Sequence, residues 1–237
     1  MVLPEASCAE CEARISWFEQ YCLKQTFGPI RYHLKMKTKR PSKRPKTLPL
    51  ELEIGGQWVK REVPVEHVAV SILFPLFDPP EILACGVPTR TNIYTKNFLM
   101  RGVANGDLSK INELFGATQG RSYRAVLAGD RFALLLAKIA HGCVMAESRN
   151  LQGFNPVLQS TILRRPDAPP LPYLIGGMPE LEPVSTRTHE MKLLNCDHPV
   201  LGMVWLVQIR LFGWLNSPTY QVVAGVECPP IPIANNT

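Results

Sequence analysis

Apolar residues recur along this chain in two periods, and the switches between them mark out its elements. Near the amino terminus Ile15, Phe18 and Cys22 fall three and four apart, with Trp17 and Tyr21 widening the stripe. This predicts a helix over residues 11–27, ended by Gly28-Pro29. Pro41, Pro45 and Pro49 then hold the chain extended or irregular. Residues 48–54 and 58–63 read as two strands around a Gly55-Gly56 turn, a hairpin signature. Residues 68–77 predict a further strand, stopped by Asp78-Pro79-Pro80.

Farther on, Asp107 caps a short helix through Phe115, and Asp130 opens the clearest helix of the chain. Phe132, Leu135, Leu136, Ile139, Ala140 and Cys143 line one face of it. Residues 151–183, with many prolines and a Gly176-Gly177 pair, read as long connections. Leu201, Met203, Trp205, Val207, Ile209 and Leu211 then alternate. The opposite face is also apolar until Gln208 and Arg210, which predicts an interior strand covered on both sides near its start. Asn216-Ser217-Pro218 turns the chain into a last strand over 220–226, and a loose tail follows. The run 199–215 is apolar, but Gln208 and Arg210 interrupt it and it falls short of the roughly 20 residues of a membrane span.

The fold class this predicts is α+β. A short amino-terminal helix follows a half zinc-knuckle, and a mixed domain of β-hairpins with one long amphipathic helix comes after it. The expected divisions are a small module with a basic extension at 1–47, an α+β domain at 48–228 and a flexible tail at 229–237.

Charge sharpens this picture. The chain carries a net charge of +6 over 237 residues. Between Pro29 and Lys46 lie Arg31, Lys35, Lys37, Lys39, Arg40, Lys43, Arg44 and Lys46, with no acidic residue among them. These eight cations exceed the whole-chain excess, so the remainder is net negative by two. A localised patch attracts polyanions better than a uniformly basic composition does, and Trp58 or Tyr32 offer rings on which bases could stack. A solvated linker is the plainer alternative for the same residues.

Seven cysteines are spread along the chain, and only Cys8 and Cys11 have motif spacing. With no secretory signal pattern ahead of them, a reducing, cytoplasmic setting is expected. A C-x2-C turn is half of a tetrahedral zinc site, although it serves equally as a redox dithiol. Cys22 lies on the apolar helix face and is expected in the core, while His33, among basic residues, is expected to be exposed or near phosphate. His67, His141, His189 and His198 have ordinary structural readings, because residues adjacent in sequence, such as Asp197-His198, point apart. The sequence contains no phosphate-binding loop, dinucleotide fingerprint, nucleophile elbow or H-x-x-x-H zinc helix.

The run LPEASCAECEARISWFEQYCLKQTFGPIRYHLKMKTKRP resembles the second half of an HNH endonuclease module of bacterial and phage proteins. Further similarity lies in FALLLAKIAHG, YLIGG, His189 and VQIRLFGWLNSPTYQVVAG. The resemblance implies a structural zinc held by two C-x2-C pairs, with Cys8 and Cys11 the second of them. It also implies DNA as partner, and a histidine base working with a divalent cation, commonly magnesium. In the family's pattern the first cysteine pair and the base lie upstream of the position matching Val2. The expectation is therefore a chain truncated at its amino terminus, catalytically incomplete, whose zinc site a second chain would have to complete. The alternatives are a non-catalytic DNA- or RNA-binding module and a structural protein with no nucleic-acid partner. No membrane association is expected.

Overall fold

A computed structural model describes residues 8–36, 44–84, 87–147 and 154–227, and the expected tail at 229–237 lies outside them. Among the described residues helices and strands are mixed, and the fold class is α+β, as the periodicities require. The chain divides into two compact units: residues 1–18, 76–97 and 129–237 form one, and residues 19–75 and 98–128 the other.

The first unit is built on an antiparallel sheet ordered β7-β11-β10-β9, with β8 also paired to β11. Its strands are β7 (Asn155–Pro156), β8 (Ile175–Gly177), β9 (His189–His198), β10 (Gly202–Leu211) and β11 (Thr219–Val226). As the alternation predicts, β10 is an interior strand: Leu206 faces Leu194 of β9 and Val223 of β11. Helix α4 (Gly129–Glu147) packs on β10 and β11, with α5 (Leu158–Ile162) and α6 (Leu171–Leu174) beside it. Tyr220 is fully buried at the centre, where Phe132 of α4 meets it edge-on at 5.0 Å and Phe77 lies 5.7 Å away. Every side chain from Phe132 to Ala137 is buried, so the expected single apolar face of α4 is nearly a full girdle at this level. The stretch 151–183, expected as connections, contains α5, α6 and β8.

The Gly176-Gly177 pair has a steric cause. A Cβ on Gly176 would lie 2.2 Å from the Asp78 carbonyl oxygen, and the Gly177 N–H donates to that same oxygen at 3.0 Å. The loop behind β8 is further tied by Glu81, a buried carboxylate that accepts from Thr89 and Arg90, while Arg90 and Lys96 pair with Asp78.

The second unit holds a sheet ordered β2-β1-β5 and another ordered β4-β3-β6. In the first, β1 (Thr47–Ile54) and β2 (Gln57–Pro64) form the expected hairpin. Gly55 and Gly56 have φ of 58° and 76°, the two positive values that a type I′ turn demands. Leu48, Leu50 and Leu52 of β1 face inward, and β5 (Ala117–Gly120) pairs along its other side. In the other sheet β3 (Val70–Leu76) lies between β4 (Asn97–Ala104) and β6 (Tyr123–Val126), parallel to the latter. Helix α3 (Leu108–Phe115) begins where the Asp107 carboxylate accepts the Lys110 N–H, as expected for an N-cap.

One boundary is corrected. Helix α1 (Ala9–Gln20) is not ended by Gly28-Pro29: helical backbone continues through a π-helical turn, Tyr21–Thr26, into α2 (Phe27–His33). The Phe27 N–H donates to the Cys22 carbonyl, one residue farther back than in an α-helix. That wider turn opens the spacing ahead of Pro29 where its ring would otherwise crowd the preceding turn. None of the helices among the described residues is long and apolar enough to cross a membrane, and most of residues 199–215 lies in β10, a strand.

Candidate nucleic-acid interface

Cys8 caps α1, its carbonyl accepting the Glu12 N–H at 2.9 Å. The Cys11 N–H points at the Cys8 sulfur at 3.4 Å. That backbone bond, followed by the Cys11 thiol, draws the Cys8 pKa below its ordinary value. Donating its own proton to Cys8 pushes Cys11 up. Of the two thiols, Cys8 is therefore the one whose ionised form is favoured. Among the described residues no group of three His, Cys, Asp or Glu side chains is placed to hold a metal ion. A zinc ion on Cys8 and Cys11 therefore finds only half its ligands there, and the donor set does not by itself fit a structural zinc.

The cysteines belong to the first unit and the basic run to the second. Of that run, Arg31 lies in the last turn of α2, Lys35 follows in a left-handed conformation with φ 50°, and Arg44 and Lys46 precede β1. Lys35 and Lys46 are exposed, and neither pairs with a carboxylate among the described residues. The Arg44 guanidinium donates to the Met36 carbonyl. Lys37, Lys39, Arg40 and Lys43 lie outside the described residues.

The rings expected to stack on bases differ in environment. Trp58 on β2 is exposed, but the Arg121 guanidinium lies 4.8 Å from its ring centre and is itself bridged to Glu51. Tyr32 is half-buried, with the His33 ring edge-on at 5.5 Å. His33 is not the exposed residue its basic neighbours suggest. Burial lowers its pKa despite a hydrogen bond to the Val65 backbone and the nearby Glu66, and its Nε2 is buried without a partner.

His141, His189 and His198 belong to the first unit. His141 is partly buried on α4, where desolvation lowers its pKa and leaves Nδ1 without a hydrogen bond. His189 accepts the Phe212 N–H at 3.4 Å, and His198 Nδ1 accepts from Val200 and Leu201 in the β9–β10 turn. Cys22 is fully buried, as its place in the apolar stripe predicts.

Sequence reasoning missed two arrangements. Arg210, read as a break in an apolar run, is a buried clamp: its guanidinium donates to the carbonyls of Ser217, Pro183 and Glu182 at 3.2, 2.6 and 3.0 Å. Glu182 and Glu190 stand beside it at 4.0 and 3.8 Å. The other is a cluster at Trp17, where two guanidinium groups share one indole. Neither was visible, because nothing in the local pattern names partners so distant in sequence.

Comparison of the chain with protein-family models, with curated proteins and with solved structures returns no match. The HNH resemblance accordingly rests on the residues that carry it.

Proposed function

We propose that this chain is a nucleic-acid-associated protein related to the HNH endonucleases, and that it binds the polyanion through its phosphates. The observation that carries this reading is the concentration of eight cations between Arg31 and Lys46. Exposed, carboxylate-free Lys35 and Lys46 fit it. Such cations gain affinity by releasing condensed counterions from phosphates, so the binding is sequence-tolerant and DNA is the expected partner. Magnesium would accompany only a complete module.

Cys8 and Cys11 would supply half of a zinc site whose remainder comes from a second copy of the chain. Metal analysis of the wild-type protein and of Cys8→Ser and Cys11→Ser tests that part: one zinc per two chains, lost in either variant, supports it. The absence of zinc from pure protein reconstituted with the metal refutes it. The free thiols Cys8, Cys11, Cys22, Cys143 and Cys196 accord with a reducing, cytoplasmic setting.

The binding claim is tested with a variant in which Lys35, Lys37, Lys39 and Arg40 become Ala. Loss of oligonucleotide affinity with an unchanged melting temperature supports it. Unchanged binding refutes it and leaves the structural-protein reading.

A further inference from the structure

Trp17 on α1 is exposed at 38% of its surface although it is flanked by groups that could cover it. The Arg131 guanidinium, from the first turn of α4, lies 5.6 Å from its ring centre, and that of Arg164, just past α5, lies 5.3 Å away. Phe18 meets the indole edge-on at 5.7 Å. All four residues belong to the first unit. Arg14, one helical position before Ile15, and Arg165, next to Arg164, add further exposed positive charge, with Arg14 tied to Glu10 at 2.9 Å.

Arg164 occupies an unusual backbone position. Its N–H donates to the Thr161 carbonyl at 3.1 Å, and the Arg165 N–H donates to Ser160 at 3.0 Å. These two bonds are a Schellman cap, whose left-handed residue is ordinarily glycine. Here it is arginine, with φ 52°. A side chain with a Cβ is disfavoured there, so a strained arginine in place of the permissive glycine points to use of its guanidinium. No carboxylate among the described residues pairs with Arg164 or Arg165.

A guanidinium held over an aromatic ring keeps its in-plane N–H donors for a phosphate, and the uncovered part of the indole remains open to a flat ring. We infer that Trp17 and Arg164 form a binding site for single-stranded nucleic acid, Arg164 taking backbone phosphate and Trp17 stacking on a base. This rests on the nucleic-acid reading and adds to it a second site, on a different unit from the basic run.

The test uses the full chain, a fluorescent oligothymidylate as nucleic acid and inorganic polyphosphate as a base-free polyanion. Arg164→Gly is the informative variant, because it removes the guanidinium while supplying the residue the cap prefers. Its melting temperature should equal or exceed that of the wild type. The log–log salt slope of its oligothymidylate binding should become shallower by about 0.7 for each phosphate the chain no longer neutralises. Trp17→Leu should weaken oligothymidylate binding at least about fivefold while changing polyphosphate binding little. Unaltered affinity and slope in Arg164→Gly overturn the site. Equal losses on both probes in Trp17→Leu overturn the stacking role. If Lys35→Ala and Lys46→Ala weaken binding and Arg164→Gly does not, this inference fails alone. If the wild-type chain binds no oligothymidylate at low salt, both readings fail.

Discussion

Replacing Glu81 by Gln isolates one carboxylate whose contribution can be worked through. Glu81 is 6% exposed and accepts from Thr89 Oγ1 at 2.6 Å, the Thr89 N–H at 2.9 Å and Arg90 Nε at 2.5 Å. Burial by itself pushes the carboxyl up, but the Thr89 bonds and then the Arg90 bonds outweigh it and hold the pKa at about 2, against an ordinary 4.5. At about 1.4 kcal/mol per unit, that depression corresponds to about 3 kcal/mol of stability. The cover is thin, since Arg90 is itself one-third exposed, and solvent screening discounts the figure to about 2 kcal/mol. The sign follows from the direction of the shift. A lowered folded-state pKa contributes fully above the unfolded value of 4.5 and is lost as pH falls through about 2. Urea unfolding of the wild type and Glu81→Gln, followed through the fluorescence of buried Trp205 in the same unit, should show a gap of about 2 kcal/mol near pH 7. The gap should shrink progressively between pH 4.5 and about 2. Because the comparison is a difference between two proteins, the other carboxylates largely cancel. A gap independent of pH, or none at neutral pH, would refute the reasoning.

Three further outcomes are expected. Arg210→Met strands the carbonyls of Ser217, Pro183 and Glu182 and leaves Glu182 and Glu190 without their buried cation, so it should cost about 3 kcal/mol in denaturant unfolding. A loss well under 1 kcal/mol would argue against the clamp, roughly the level of an exposed pair. Gly176→Ala drives a Cβ against the Asp78 carbonyl and the Pro80 nitrogen, both backbone, and should destabilise by about 1–3 kcal/mol or abolish soluble expression. In alkylation of the native protein read by mass spectrometry, Cys8 should react before Cys11 and at a lower pH, because Cys11 donates to it. Equal rates would mean that the pair does not share its proton.

What was legible in the sequence followed from how many apolar side chains an element buries. The β1–β2 hairpin announced itself because Leu48, Leu50 and Leu52 alternate into a core and Gly55-Gly56 can take two positive φ values. Strand β10 was equally plain. Strand β9 escaped, because at the sheet edge it exposes residues on both faces, including Met191 and Leu194, and so carries no alternation. The helix past Gly28-Pro29 was lost to a π-helical turn that no composition signals. At the candidate interface, residue types gave the cysteine pair and the cations, since metal ligation and phosphate attraction follow from chemistry at short spacing. The pairing of Trp17 with Arg131 and Arg164 depends on the tertiary fold and left no trace in the local pattern.

The central claim, that the cations between Arg31 and Lys46 engage phosphate, is met most directly by measuring oligonucleotide affinity for the full chain across a salt series. The account predicts a steep linear fall of log K with log salt, of slope about −3 or steeper if about four or more of the eight cations engage single-strand phosphates. An affinity that does not change with salt would contradict it.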